Sequence, residues 1–138
     1  MLSVRVVVAH REPPARAGLR ALLERESDVD VAGEAASGDE LEQRVRELEP
    51  DVVVVDVALP GRSDALAVTR RIVAAGAGVK VVALDRGEHD DALFGALRAD
   101  ARAFLVRDTD PHELLRAVRS LAAGHALLSL PDAAVSAR

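Results

Sequence analysis

Short apolar strands alternate along this chain with segments that have the apolar spacing of a helix, and this alternation limits the possible folds more than any other feature. Runs such as 4–9 and 52–55 are apolar at nearly every position, which is typical of strands buried on both faces. Between them, leucines such as Leu19, Leu22 and Leu23 recur at helical spacing. The predicted strands are 4–9, 29–32, 51–56, 79–84 and 103–106, and a helical segment follows each of them.

This alternation predicts parallel pairing, because each helix carries the chain back to the same edge of the sheet. The predicted fold class is therefore α/β, with a doubly wound, five-stranded parallel sheet of strand order 2-1-3-4-5. In such sheets, ligands bind beyond the carboxyl ends of the strands, where the winding reverses between the first and third strands. That rule selects the loops that begin at His10 and Asp56, with Asp85 and Arg107 at the neighbouring strand ends.

Length and composition indicate a single domain. The chain has 138 residues, of which 49% are hydrophobic, enough for one domain with its own core. The net charge of the chain, −5, disfavours binding of nucleic acid by the surface of this domain. Because cysteine, a signal peptide and a membrane-length apolar run are all missing from the sequence, we expect a cytoplasmic protein that makes no membrane contact.

Several short motifs follow one another in a characteristic order, at 18–23, 50–56, 60–61, 96–99, 104–111 and 113–118. In this order they resemble the receiver domains of bacterial response regulators, in particular those that precede a helix-turn-helix DNA-binding domain of the NarL/FixJ type. The resemblance implies the flavodoxin-like receiver fold, and it places Asp56 at the position of the aspartate that takes a phosphoryl group from a phosphohistidine. It also implies a receiver-like domain over 1–124, with 125–138 as a tail that begins a linker to a helix-turn-helix domain outside this chain.

The sequence departs from the family at the residues that support this chemistry. In the family, an acidic pair after the first strand holds a divalent cation, a Thr or Ser ends the fourth strand, and a lysine ends the fifth. Here the acidic pair is replaced by His10 and Arg11. The hydroxyl position holds Asp85, and the lysine position holds Arg107. Phe104 falls at the position of the family's switch aromatic.

These departures predict that the strand-end pocket binds Mg²⁺ weakly or not at all, and we expect no other cofactor. The family's pocket is negative until the cation binds, whereas here Arg11 and Arg107 match the two carboxylates and leave no net charge. A hard cation needs several oxygen ligands, and a guanidinium at its position supplies none. We expect an Arg11–Asp56 ion pair in place of the metal, and a second pair between Arg107 and Asp85. His10 is expected to be a solvated loop residue.

A receiver without phosphorylation chemistry can still regulate through association. The first hypothesis is a phosphorylation-independent regulatory and dimerisation module of a transcriptional regulator, a homodimer that is not an enzyme and whose cognate kinase is doubtful. In this hypothesis, DNA is contacted only through a domain outside this chain. One alternative is a conventional phosphorelay receiver with Asp56 as the acceptor. Another is a sensor of a small anionic ligand, which binds in the strand-end pocket beside Arg11 and Arg107.

Overall fold

The structure, a computed structural model, describes residues 3–62, 65–75, 78–85, 103–107 and 111–123. Within these residues the strands are β1 (Val4–Ala9), β2 (Val29–Ala35), β3 (Val52–Asp56), β4 (Lys80–Asp85) and β5 (Ala103–Arg107). The helices in the same residues are α1 (Pro13–Glu24), α2 (Gly38–Leu48), α3 (Ala65–Ala74) and α4 (Pro111–Ala122). The helix predicted around residues 93–97 and the tail 125–138 lie outside the described residues.

The strands form one parallel sheet with the order β2-β1-β3-β4-β5, which confirms the predicted α/β architecture. In the pairing of β1 with β3, Ala9 lies opposite Val55. The residues that follow this pair, His10 and Asp56, therefore lie side by side at the carboxyl ends of the two strands. The register of the two central strands thus brings together the two loops that the sequence selected.

The core has two layers because successive residues of a strand point to opposite faces of the sheet. On one face, buried valines such as Val6 and Val54 pack against α1 and α4. On the other face, Val7 and Val53 pack against α2 and α3. Each central strand is covered on both faces, which is why its sequence is apolar without alternation.

Strand β2 is longer than the sequence predicts, extending to Ala35 rather than ending at residue 32. Gly33 and Glu34 interrupt the apolar pattern, and the register with β1 shifts just before them, because Val6 pairs with Val31 and Val7 with Gly33, which skips Ala32. Gly33 permits a close approach of α2, because a Cβ atom there would lie 2.6 Å from Cδ1 of Leu48. The extension carries Glu34 to the edge of the sheet beside α1.

Hydrogen bonds at the start of α2 hold the loop that follows β3. The Ser37 hydroxyl accepts from the Glu40 backbone N–H (3.2 Å), and the Glu40 carboxylate accepts from the Ala36 N–H (2.8 Å), which together form a capping box. The Gly38 N–H then donates to the carbonyl oxygen of Pro60 (2.7 Å). Helix α2 therefore fixes the position of the turn at Pro60 relative to the end of β3.

None of the helices in the described part of the chain is long and apolar enough to cross a membrane.

Candidate functional site

The end of β3 carries a buried carboxylate that faces a buried imidazole at the end of β1. Nε2 of His10 lies 3.5 Å from Oδ2 of Asp56. His10 is 4% exposed and Asp56 is 2% exposed, so bulk water solvates neither the imidazole nor the carboxylate. Such burial of polar groups is costly unless they are paired, which marks this contact as the candidate site.

The hydrogen bond to Nδ1 determines which nitrogen of His10 carries the ring hydrogen. Nδ1 accepts a hydrogen bond from the Glu12 backbone N–H (3.1 Å). Two donors cannot face each other, so Nδ1 carries no hydrogen and the ring hydrogen is on Nε2. Nε2 is therefore a donor that faces the Asp56 carboxylate, and its lone pair is not available to a metal ion.

The main chain of His10 is held as firmly as its ring. Its N–H donates to the carbonyl oxygen of Ala35 (3.0 Å), and its own carbonyl oxygen accepts from Nη1 of Arg16 (2.7 Å). Arg16 also donates through Nε to Glu34 Oε1 (2.9 Å), while Arg20 donates to Glu34 Oε2 (2.6 Å). The position of His10 is thus tied to both α1 and β2.

Glu34 is the acidic member of this network, and its pKa lies below the ordinary value. The main cause is the hydrogen bond from Arg20; partial burial acts in the opposite direction, and the hydrogen bond from Arg16 lowers the pKa further. Glu34 therefore stays ionised over a wider pH range than a solvated glutamate. Its charge holds Arg16 against the His10 carbonyl.

The two carboxylate oxygens of Asp56 have different surroundings. Oδ1 accepts a hydrogen bond from the Ala58 backbone N–H (3.2 Å), within a turn that the Leu59 N–H closes on the Asp56 carbonyl (3.0 Å). Oδ2 is buried, and no donor in the described part of the chain is hydrogen-bonded to it. At 3.5 Å, the contact with His10 is longer than a normal N–H···O hydrogen bond. Oδ2 is therefore the under-satisfied atom of the site.

The structure does not support the expected Arg11–Asp56 ion pair. The Arg11 side chain is exposed, and the side chain that lies against Asp56 is that of His10. The expectation that His10 is a solvated loop residue is likewise wrong. The reason is that the bond from the His10 N–H to the Ala35 carbonyl continues the buried path of β1 for one more residue, and the chain reaches solvent only at Arg11. No local signal in the sequence distinguishes these two residues.

The remaining predicted pocket residues lie on β4 and β5. Asp85 and Arg107 are register partners on these adjacent strands, so the main chain brings the two positions side by side. Asp85 follows Leu84, which pairs with Asp56. The side chains of Asp85, Phe104 and Arg107 lie outside the described part of the structure. The predicted Arg107–Asp85 ion pair therefore stays a prediction.

The described side chains around Asp56 do not match the ligands of a hard divalent cation. Mg²⁺ prefers oxygen ligands, usually more than one carboxylate or carbonyl. Here the described neighbour of Oδ2 is a ring N–H, which repels a cation. No cluster of three or more metal-ligating side chains occurs among the residues that the structure describes.

Comparison with protein families assigns the fold to a known group. The model of the response regulator receiver domain matches residues 6–119. The chain belongs to this family. The resemblance predicted from the sequence is thereby confirmed, and Asp56 at the end of β3 lies at the strand end where ligands bind in such sheets.

The relatives of this receiver include a transcriptional regulatory protein and an oxygen regulatory protein. It is 32% identical over 131 residues to the transcriptional regulatory protein YxjL of Bacillus subtilis, covering 95% of this chain and 60% of that protein. It is 27% identical over 127 residues to the oxygen regulatory protein NreC of Staphylococcus aureus, covering 92% and 58% respectively. The receiver thus spans about 60% of the length of the curated relatives it matches.

A solved structure supports the same grouping. The receiver superimposes with a TM-score of 0.78 on a two-component response regulator of the LuxR family from Aurantimonas sp. SI85-9A1. The two chains are 31% identical, and the match covers 90% of this receiver and 88% of that chain. Fold and sequence therefore agree on the family.

Proposed function

We propose that this receiver is the regulatory and dimerisation module of a transcriptional regulator, and that its regulation does not depend on phosphorylation of Asp56. The name of YxjL, a transcriptional regulatory protein, supports the assignment to gene regulation. In this proposal the receiver is not an enzyme, it forms a homodimer, and no kinase is required. DNA is contacted by a separate domain, because the net charge of −5 disfavours contact through this one.

The observation that supports phosphorylation independence is the state of Asp56 Oδ2. Oδ1 is engaged by the Ala58 N–H, so Oδ2 is the oxygen left to attack a phosphoryl donor. Oδ2 is buried, and the His10 ring lies over it. Phosphoryl transfer depends on positioning and on stabilising the charge that develops on the transferred group. Neither an open approach nor a cation site is provided by the described residues around Asp56.

The anionic-ligand alternative receives no support from the described side chains. It relies on Arg11 and Arg107 beside the ligand; Arg11 is exposed, and the Arg107 side chain lies outside the described part of the structure. The conventional phosphorelay receiver remains the alternative that an experiment must separate from our proposal, because it uses the same aspartate.

The test is the intact mass of the protein after incubation with Mg²⁺ and acetyl phosphate, a small phosphodonor. We expect the mass of the wild-type protein to stay unchanged. The matched control is Asp56→Asn, which removes the acceptor oxygen and keeps the size of the side chain. An added phosphoryl group that appears in the wild type and disappears in Asp56→Asn would contradict the proposal and establish a conventional receiver.

A further inference from the structure

We infer that His10 is the group that takes the place of a divalent cation at Asp56, and that Arg11 has no part in this. The inference rests on the proposed function and deepens it, since it names the residue that keeps the pocket free of metal. It follows from the distance between two buried atoms, from the hydrogen-bonding of the imidazole, and from the exposure of Arg11.

The first step is spatial. Mg²⁺ binds oxygen ligands at about 2.0–2.1 Å. Nε2 of His10 lies 3.5 Å from Asp56 Oδ2, so the ring occupies a position beside the carboxylate where a second ligand of a bound ion would lie. That position holds a nitrogen that carries a hydrogen, whereas Mg²⁺ needs an oxygen with a free lone pair.

The second step is electrostatic. The hydrogen on Nε2 points its partial positive charge at Oδ2, because Nδ1 is occupied by the Glu12 N–H. It supplies in weaker form the positive charge that a cation would place there. The ring therefore excludes the ion and partly compensates the buried carboxylate at the same time.

The third step is rigidity. The ring could make way for an ion only if it swung out, and the bonds to Ala35, Glu12 and Arg16 hold both its backbone and Nδ1. Arg16 is itself fixed by Glu34. Arg11, the residue after His10, is exposed. Its charge therefore acts on Asp56 through solvent and is strongly screened.

The test is a gain of Mg²⁺ binding, measured with Mg²⁺ alone by isothermal titration calorimetry and by the thermal unfolding midpoint. We expect no saturable heat for the wild type. His10→Asp places a second carboxylate beside Asp56 and should bind Mg²⁺ saturably, with an increase in Tm of about 5 °C at ten times the Kd. Arg11→Asp should behave as the wild type does.

Two further variants keep the result interpretable. His112→Asp makes the same exchange at an exposed position on α4 and should give no binding, which controls for net charge. His10→Asn adds an oxygen ligand without a second buried charge. We expect His10→Asn to fold, and to bind Mg²⁺ more weakly than His10→Asp does. If two uncompensated carboxylates prevent His10→Asp from folding, His10→Asn takes its place in the test.

Several outcomes would overturn the assignment of His10. These are saturable Mg²⁺ binding by the wild type, binding by Arg11→Asp without binding by His10→Asp, or no binding by folded His10→Asp and His10→Asn. None of these measurements uses a phosphodonor. A phosphorylated wild-type protein would therefore contradict the proposed function separately, without deciding between His10 and Arg11.

Discussion

Burial of Asp56 is energetically costly, because its carboxylate is almost fully removed from water. Desolvation of a carboxylate costs several kcal/mol in a protein interior, whereas one neutral hydrogen bond contributes only about 1 kcal/mol. Asp56 has one backbone hydrogen bond through Oδ1, and its Oδ2 is buried without a hydrogen bond among the described residues. The contact with His10 at 3.5 Å offsets only part of this cost. Such a residue destabilises the fold that carries it, which is typical of a functional position.

Replacing Asp56 by Asn should therefore stabilise the protein. The variant loses part of one hydrogen bond and removes the buried charge, so we expect the free energy of unfolding to rise by about 1–2 kcal/mol. The measurement is urea unfolding followed by far-UV circular dichroism, since the chain has no Trp or Tyr for fluorescence.

The control for this prediction is Asp51→Asn. Asp51 is exposed, and its Oδ2 accepts the Arg5 N–H at 2.8 Å, so its replacement should leave stability unchanged or lower it slightly. A less stable Asp56→Asn would show instead that the attraction between Asp56 and His10 outweighs the cost of burying the charge.

At the scale of elements, ion pairs between neighbouring segments hold the frame around the site. Arg16 and Arg20 of α1 both donate to Glu34 of β2. Arg119 of α4 pairs with Glu26 and Asp28 in the loop between α1 and β2, and its hydrogen bond lowers the pKa of Asp28. These contacts join segments that are separated in the sequence. The pair between Arg16 and Glu34 also holds Arg16 against the carbonyl oxygen of His10.

Glu34→Gln should weaken the link between α1 and β2 in a pH-dependent way. At pH 7 we expect a loss of about 1 kcal/mol, because two partly exposed ion pairs are removed. The pKa of Glu34 is lowered in the folded state from an ordinary value of 4.5. Its stabilising effect is thus complete above pH 4.5 and is lost as the pH falls through the folded-state pKa.

The difference in stability between the wild type and Glu34→Gln should therefore close as the solution is acidified through that range. Urea unfolding at a series of pH values measures it. Glu47→Gln serves as the comparison, since Glu47 makes an exposed pair with Arg44 within α2 and should cost only a few tenths of a kcal/mol at pH 7. A pH-independent deficit in Glu34→Gln would mean that packing, not charge, holds this link.

At the scale of the whole molecule, the proposed function makes a prediction about association: it should not respond to a phosphodonor. We expect the same dimerisation constant with and without Mg²⁺ and acetyl phosphate, because the described pocket offers neither a cation site nor an accessible Oδ2. Sedimentation equilibrium over a range of concentrations measures this constant. A dimer that tightens on addition of the phosphodonor, and no longer does so in Asp56→Asn, would indicate conventional activation.

The sequence by itself determined the architecture and the location of the site. Valine runs buried on both faces, separated by amphipathic helices, have few stable arrangements other than a doubly wound parallel sheet. Once the order of strands is set, the end of β3 and the end of β1 must meet, so Asp56 could be placed from its position alone. Local patterning carries this information because strand and helix periodicities are properties of neighbouring residues.

Only the tertiary structure decided which side chain faces Asp56. His10 and Arg11 are adjacent, and charge alone favours Arg11 as the partner of a carboxylate. The direction of a side chain beyond a strand end depends on backbone bonds to residues distant in sequence, here Ala35 and Arg16. Glu34 was missed for the same reason, because its role arises from a shifted register on β2 and from contacts with α1. Long-range hydrogen bonds and register, which no local pattern encodes, therefore set the chemistry of this site.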